Sequence, residues 1–283
     1  MVTLRKGSDV LKKRYLYLLL LPGVLFLTIF LVIPILSMMG TTFNEGGSFS
    51  LQGYIDFFKD KYFIDILLTT LRVSLLTTFI CILIGFPVSY YIAKLPSKRK
   101  AVLLLFTIFP LLTSPVVRSF SWMIIIGKNG VLNKTLLSLG LIQEPLNILY
   151  TPNAIIIGLV HLFLPLIIVT LVGVMENIDS DLLRAAESLG ASKMASFMKI
   201  IVPLCVPGLV IGSILVFVGS FTAYTTPALL GGKQRVISTF LYQNAITLND
   251  WKLASIVATI MIICTFIIIT IMNGVAKKLN PKG

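Results

Sequence analysis

The chain has 283 residues, 57% of them hydrophobic and 12% charged, with a mean hydropathy of +0.97 and a formal net charge of +13. Soluble domains carry about a quarter charged residues, so this composition excludes an ordinary soluble protein and describes an integral membrane protein. The basic excess does not make a nucleic-acid binder, which would cluster Lys and Arg on a soluble face that this chain barely has room for.

Crossing the hydrocarbon takes about 20 apolar helical residues. Six runs qualify, Tyr15 to Met39, Leu71 to Ala93, Ala101 to Ile126, Ala154 to Val174, Ile200 to Thr226 and Leu253 to Val275, and predict an all-α membrane protein with six transmembrane helices. The opening "LRKGSDVLKKRY" resembles the basic start of a signal peptide. The apolar run behind it is too long for the apolar region of such a peptide and has no small-residue cleavage site, so it reads as an uncleaved first span. Lys and Arg gather in alternate segments, most sharply in "PSKRK" at residues 96–100. By the positive-inside rule both termini are then cytoplasmic. The organisation expected is a cytoplasmic segment at 1–14, one transmembrane domain at 15–275 with a cytoplasmic loop at 175–199, and a tail at 276–283.

The outer loops, Gly40 to Ile64, Gly127 to Asn153 and Pro227 to Lys252, lack the apolar pattern of a domain and read as caps or docking surfaces. "NKT" at Asn133 to Thr135 fits a glycosylation sequon, but a three-residue pattern carries no weight alone. No phosphate-binding G-x-x-x-x-G-K-[ST] occurs, so the chain does not hydrolyse nucleotide itself. Cys81, Cys205 and Cys264 lie in apolar runs as small hydrophobes, and His161 has no acidic residue or Cys at helical spacing; no metal set or catalytic dyad is expected, and the histidine reads as hydrogen-bonded between helices. Every Asp and Glu falls in a loop or at a span end, which disfavours a stand-alone ion-coupled carrier, since such carriers usually need an intramembrane relay. Paired acids, bases or nucleophiles at usable spacing are also missing, so a membrane enzyme is not expected.

The stretch "RAAESLGASKMASFMKIIVP" at residues 184–203 is soluble-looking between two spans. Asp179 or Ser180 can cap a first helix, with Asp181 in its first turn where a negative charge suits the dipole. Leu182, Leu183, Ala186 and Leu189 form a narrow apolar stripe on it. Gly190 stands where a left-handed residue stops a helix, and Ser192 can cap a second helix carrying Met194, Phe197, Met198 and Ile201 on one face, with Pro203 marking entry to the fifth span. Two short amphipathic helices meeting at a bend, with polar faces poor in Lys and Arg, suit protein docking better than a lipid surface.

This loop resembles the cytoplasmic signature of ATP-binding-cassette (ABC) importer permeases, E-A-A, three residues, G, nine residues, I-x-L-P. Ala185, Ala186, Gly190, Ile200 and Pro203 match in register, whereas Arg184 stands in place of Glu and Val202 in place of Leu. "GFPVSYYIAKLP", "IIIGLVHLFLPL" and "LLRAAESLGASK" are similar to the polyamine (spermidine/putrescine) branch. The resemblance implies the type I ABC importer permease fold in a bacterial plasma membrane. It also implies coupling to an ATPase through Arg184, Ala185, Ala186, Glu187, Gly190, Ile200 and Pro203. The partners it implies are a second permease, as a heterodimer or a homodimer, two cytoplasmic ATP-binding cassette subunits, an extracytoplasmic substrate-binding protein and membrane lipid, with no nucleic acid. No cofactor is then expected on this chain, ATP and magnesium belonging to the partner ATPases.

A substrate path is expected where spans three and five are interrupted by Pro110, Pro115, Pro207, Gly212 and Gly219, because broken helices belong beside protein or a water-filled cavity. Gly208 and Gly212 form a G-x-x-x-G that reads as tight helix packing. The path candidates are Arg118, Ser121, Trp122, Phe221, Thr222 and Tyr224. Arg118 either snorkels outward or faces the path. Aromatic faces suit a polyamine, while an arginine suits an anion such as phosphonate or sulfate; iron and thiamine are the other substrates of related permeases.

Overall fold

The computed structural model describes residues 19–45 and 48–279. The expected cytoplasmic segment at 1–14 and the last residues of the tail lie outside the described residues. In chain order, α1 (Leu19–Thr42) leads into a hairpin of β1 (Asn44–Glu45) and β2 (Ser48–Phe49), then α2 (Gln52–Lys59) and α3 (Lys61–Ala93). Next come α4 (Ser97–Leu112), α5 (Pro115–Ile126) and a loop helix α6 (Val131–Ser138). They are followed by α7 (Pro152–Met175), α8 (Ser180–Ser188) and α9 (Lys193–Thr222). The last elements are α10 (Thr225–Leu230), α11 (Ile237–Tyr242) and α12 (Trp251–Leu279). Among the described residues five helices are long and apolar enough to cross a membrane, and the count is six when α4 and its continuation, bent by 95°, make one span.

The bend follows from two residues. Pro115 has no N–H to give the carbonyl of Leu111, and the residue before a proline is pushed out of the helical region. Ser114 accordingly sits at φ −56°, ψ 130°, and its carbonyl starts α5 by accepting from Arg118 N–H at 3.1 Å. Sequence reading placed a proline-interrupted span here, and the structure makes the interruption a sharp corner.

At the centre α3, α7 and α9 pack together. Ile167 on α7 is fully buried between two glycines: a Cβ on Gly85 would lie 2.5 Å from its Cγ2, and one on Gly212 would lie 3.0 Å from its Cγ1. Gly208 likewise faces Val174, so the G-x-x-x-G packs helices, as expected. The buried hydroxyls of Thr70, Ser74, Thr78 and Ser89 each donate to the carbonyl four residues back, which satisfies them without water. α3 has 33 residues. At 1.5 Å per residue it runs about 50 Å and exceeds the roughly 30 Å hydrocarbon thickness, so its expected start at Leu71 is extended by ten residues into the preceding loop. There Phe57 of α2 joins Phe217, Phe221, Ile237, Phe240 and Val257 in one buried cluster that ties the loop helices to α9 and α12. α1 is the most loosely held span: only its C-terminal part packs against α12, and Thr42, hydrogen-bonded to the Tyr54 hydroxyl at 2.5 Å, is its one buried residue.

Asn133 is fully buried; its Nδ2 donates to the Gly127 and Leu146 carbonyls at 3.0 Å each and its Oδ1 accepts from Leu146 N–H at 2.8 Å. With every side-chain atom engaged, the sequon match is structural. Asn133→Ala should therefore destabilise the α5–α7 connection by about 1–3 kcal/mol, the cost of stranded buried groups. Thermal unfolding of the purified chain checks this; an unchanged midpoint would contradict it.

One boundary differs from the sequence reading. The helix capped by Ser192 does not stop before Pro203: it continues as α9 through a π-turn at Phe197–Ile201, where Val202 N–H reaches back to the Phe197 carbonyl. A proline within a first α-helical turn needs no N–H, so Pro203 sits directly after the π-turn without ending the helix.

Candidate functional site

The loop between α7 and α9 is closed by local hydrogen bonds at each turn. Asp179 caps α8, its Oδ1 accepting from Asp181 N–H at 2.9 Å. At the other end Gly190 N–H donates to the Glu187 carbonyl and Ala191 N–H to the Ala186 carbonyl, both at 3.0 Å, with Gly190 at φ +85°. These are the two bonds of a Schellman turn, which requires a left-handed residue. Ser192 then caps α9, its Oγ accepting from Ala195 N–H at 3.2 Å. Two helices are thus joined by an elbow in which cap, stop and restart each have a dedicated group.

The apolar residues of the elbow divide between two jobs. Leu183, Phe197 and Ile201 pack inward; the Phe197 ring meets Tyr90 at 4.8 Å and Phe86 at 5.8 Å, edge to face. Leu182, Leu189, Met194 and Met198 face outward at 46%, 89%, 70% and 55% exposure. Large exposed apolar side chains on an otherwise polar loop mark an interaction surface. Ala185 and Glu187 share the outer side, Ala186 is half-buried, and Ile200 and Pro203 lie half-buried in α9. Arg184 pairs with Asp181 at 3.5 Å, both well exposed, a contact that adds little stability.

A cavity of about 790 Å³ opens beside the elbow, with Tyr90, Lys94, Lys100, Glu176, Arg184 and Glu187 among its walls. Lys100 Nζ and Glu176 Oε1 meet at 2.6 Å and join the start of α4 to the end of α7. Separated by 76 positions in sequence, the two are linked by no helical or strand spacing.

The six expected path residues are not brought together in the isolated chain. Arg118, Ser121 and Trp122 line a cavity of about 360 Å³ at the corner of the third span. Arg118 does not snorkel: it is 5% exposed, and its Nη1 donates back across the break to the Pro110 carbonyl. Trp122 Nε1 donates to His161 Nδ1 at 3.0 Å, so the single histidine is hydrogen-bonded between α5 and α7 as expected. Phe221 is fully buried and stacks on Phe217 at 5.6 Å in the cluster above. Thr222 borders an apolar hollow against α12, and the Tyr224 ring packs, tilted, against Tyr242 at 4.4 Å in a third place. Helical periodicity puts Phe221 and Thr222 on neighbouring positions of α9 but does not show which neighbour claims each face.

A family model described as "Binding-protein-dependent transport system inner membrane component" matches residues 82–282. The chain belongs to that family. It is an inner-membrane, multi-pass transport subunit, a permease. The spermidine/putrescine transport system permease protein PotB of Salmonella typhimurium (strain LT2) is 34% identical to this permease over 265 residues, covering 91% of this chain and 92% of the relative. PotB of Escherichia coli (strain K12) is 32% identical over 265 residues, covering 91% of this chain and 96% of the relative. In fold, the permease superposes with a TM-score of 0.76 on a chain of a bacterial ABC transporter for the acidic polysaccharide alginate, at 18% identity, covering 97% of this chain and 99% of the other. The ABC importer permease fold expected from the loop is therefore the fold observed.

Proposed function

We propose that this chain is a permease subunit of an ATP-driven importer of polyamines of the spermidine/putrescine kind, non-catalytic itself and moved by partner ATPases that hold the ATP and magnesium. The observation that carries the substrate is the identity of 30% or more, across 91% of this chain, with permeases named for spermidine and putrescine. The elbow supports the coupling: a rigid helix pair with Leu189 and Met194 presented outward suits docking on a cytoplasmic ATPase, with Arg184, Ala185, Ala186, Glu187 and Gly190 at the contact and Ile200 and Pro203 carrying the motion into α9. On this reading the elbow and both termini are cytoplasmic, which Lys94, Lys98, Arg99 and Lys100 at the same ends of the spans support. The remaining partners are a second permease and an extracytoplasmic binding protein.

In a strain lacking the gene for this chain, uptake of labelled spermidine or putrescine should fall at least tenfold and return with the gene, while uptake of phosphonate, sulfate, ferric iron and thiamine stays unchanged. Loss of one of those other uptakes with normal polyamine uptake would assign the permease to that substrate.

A further inference from the structure

The corner of the third span holds a cation that is only half satisfied. Arg118 gives Nη1 to the Pro110 carbonyl, at the negative end of α4, but its Nη2 is buried without any acceptor. Guanidinium cannot shed its charge in a protein, and an unmatched buried donor is costly.

The neighbouring polar groups do not relieve it. Thr113 Oγ1 donates to the Pro110 carbonyl at 2.8 Å, Ser121 Oγ to the Val117 carbonyl at 3.0 Å and Trp122 Nε1 to His161 Nδ1 at 3.0 Å. Because His161 Nδ1 accepts, the neutral ring carries its proton on Nε2 and is a second donor at the same cavity. The cavity therefore has donors in excess, and an acceptor-only group with negative charge matches it. This chain does not supply one. Among the described residues every Asp and Glu lies in a loop, in the β-hairpin, in a loop helix or in the outer turns of a spanning helix, and none pairs with Arg118. A second copy of the chain lacks an intramembrane carboxylate for the same reason.

The open side of the cavity points to a protein occupant. Val117 is 63% exposed there, Ser114 and Ser121 are exposed, and the chain between α4 and α5 is not helical. Non-helical backbone at membrane depth persists only where protein or water covers it. We propose that this cavity seats an Asp or Glu carboxylate of a second, different permease chain, which draws the Arg118 side chain into the cavity so that Nη2, buried in the isolated chain, reaches it, and which neutralises the guanidinium at the interface between the two permeases. The inference rests on the reading of the protein as one of a permease pair. The pairing neutralises Arg118 at the interface, so a cationic substrate would not face an unpaired positive charge at this corner.

The test uses the whole transporter extracted from membranes. Arg118→Glu should reduce recovery of the second permease with this chain about tenfold or more, Arg118→Met should do so less severely, and Arg118→Lys should retain most of it. The amount and thermal unfolding of this chain are measured in parallel to separate assembly from folding. Changing a single intramembrane Asp or Glu of the second permease to Lys should restore assembly with Arg118→Glu. Independently, Ser121→Cys should cross-link through a short bismaleimide to a cysteine placed at that same acidic position. Full recovery of the second permease with Arg118→Glu, or the lack of any acidic position that both suppresses and cross-links, overturns the seat. Intact assembly with lost polyamine uptake would also overturn it and place Arg118 on the substrate path. If the second permease fails to accompany even the unaltered chain, the pairing itself is wrong, a result the wild-type control shows by itself.

Discussion

Gly190→Val should abolish productive coupling while the protein still inserts and folds. In the assembled transporter, uptake and the stimulation of ATP hydrolysis by loaded binding protein should both fall about tenfold or more, with membrane abundance unchanged. The reason is backbone geometry. Gly190 holds φ +85° to make the two closing bonds of the elbow, and a Cβ there meets nothing within 4 Å. The Cβ itself therefore meets no crowding. What remains is the left-handed conformation, which costs an L-residue roughly 1–2 kcal/mol, and a β-branched residue tolerates it worst. A difference of about 1.4 kcal/mol is tenfold in population, so forms of the elbow that would bend under ATPase closure become about tenfold more populated. Asn tolerates the left-handed region better, so Gly190→Asn should retain much more uptake than Gly190→Val. Ser188→Ala, on the exposed side of α8, should change neither activity. Normal stimulated hydrolysis and uptake in Gly190→Val would mean that the elbow does not transmit motion.

Gly85→Val should act on folding instead. The added Cβ would sit 2.5 Å from Ile167 Cγ2, with Leu164 and Ile168 also within 4 Å, in the closest-packed part of the bundle. Cγ2 of an isoleucine is fixed to the helix by its branched Cβ and cannot swing away. Overpacking of this kind costs about 1–3 kcal/mol or more, so yield of folded protein and the thermal midpoint should both drop. Ile167→Ala alone should destabilise too, by leaving a void between Gly85 and Gly212. Combined with Gly85→Val it should recover part of the loss, a coupling of about 0.5–3 kcal/mol expected for residues in contact. Strict additivity of the two changes would contradict the packing described.

These two glycines show what the sequence made legible and what it did not. The stop at Gly190, the cap at Ser192 and the cap at Asp179 depend on bonds within a few residues, so residue types and spacing were enough to place them. All six spans were visible as apolar runs, with ends displaced where a loop joins the helix, as at Lys61 and Lys193. Pro115 announced an interruption of the third span, but residue types alone did not give the 95° angle of the corner or Arg118 reaching back across it to Pro110. The path residues were the least legible. Phe221 is claimed by the cluster of Phe217, Ile237 and Phe240, and Thr222 and Tyr224 border separate hollows. Which polar side chains of α9 would face a path is a tertiary property, and one chain's periodicity does not carry that information.

The central claim is that this permease moves polyamine only when ATPases drive it through the elbow. The most direct measurement is accumulation of labelled spermidine in proteoliposomes holding the chain with its second permease and ATPases, with ATP inside and binding protein outside. Accumulation should require both ATP and the binding protein, and an imposed proton or sodium gradient should not replace them. Spermidine uptake by the purified chain alone, driven by an ion gradient without any ATPase, would contradict the account.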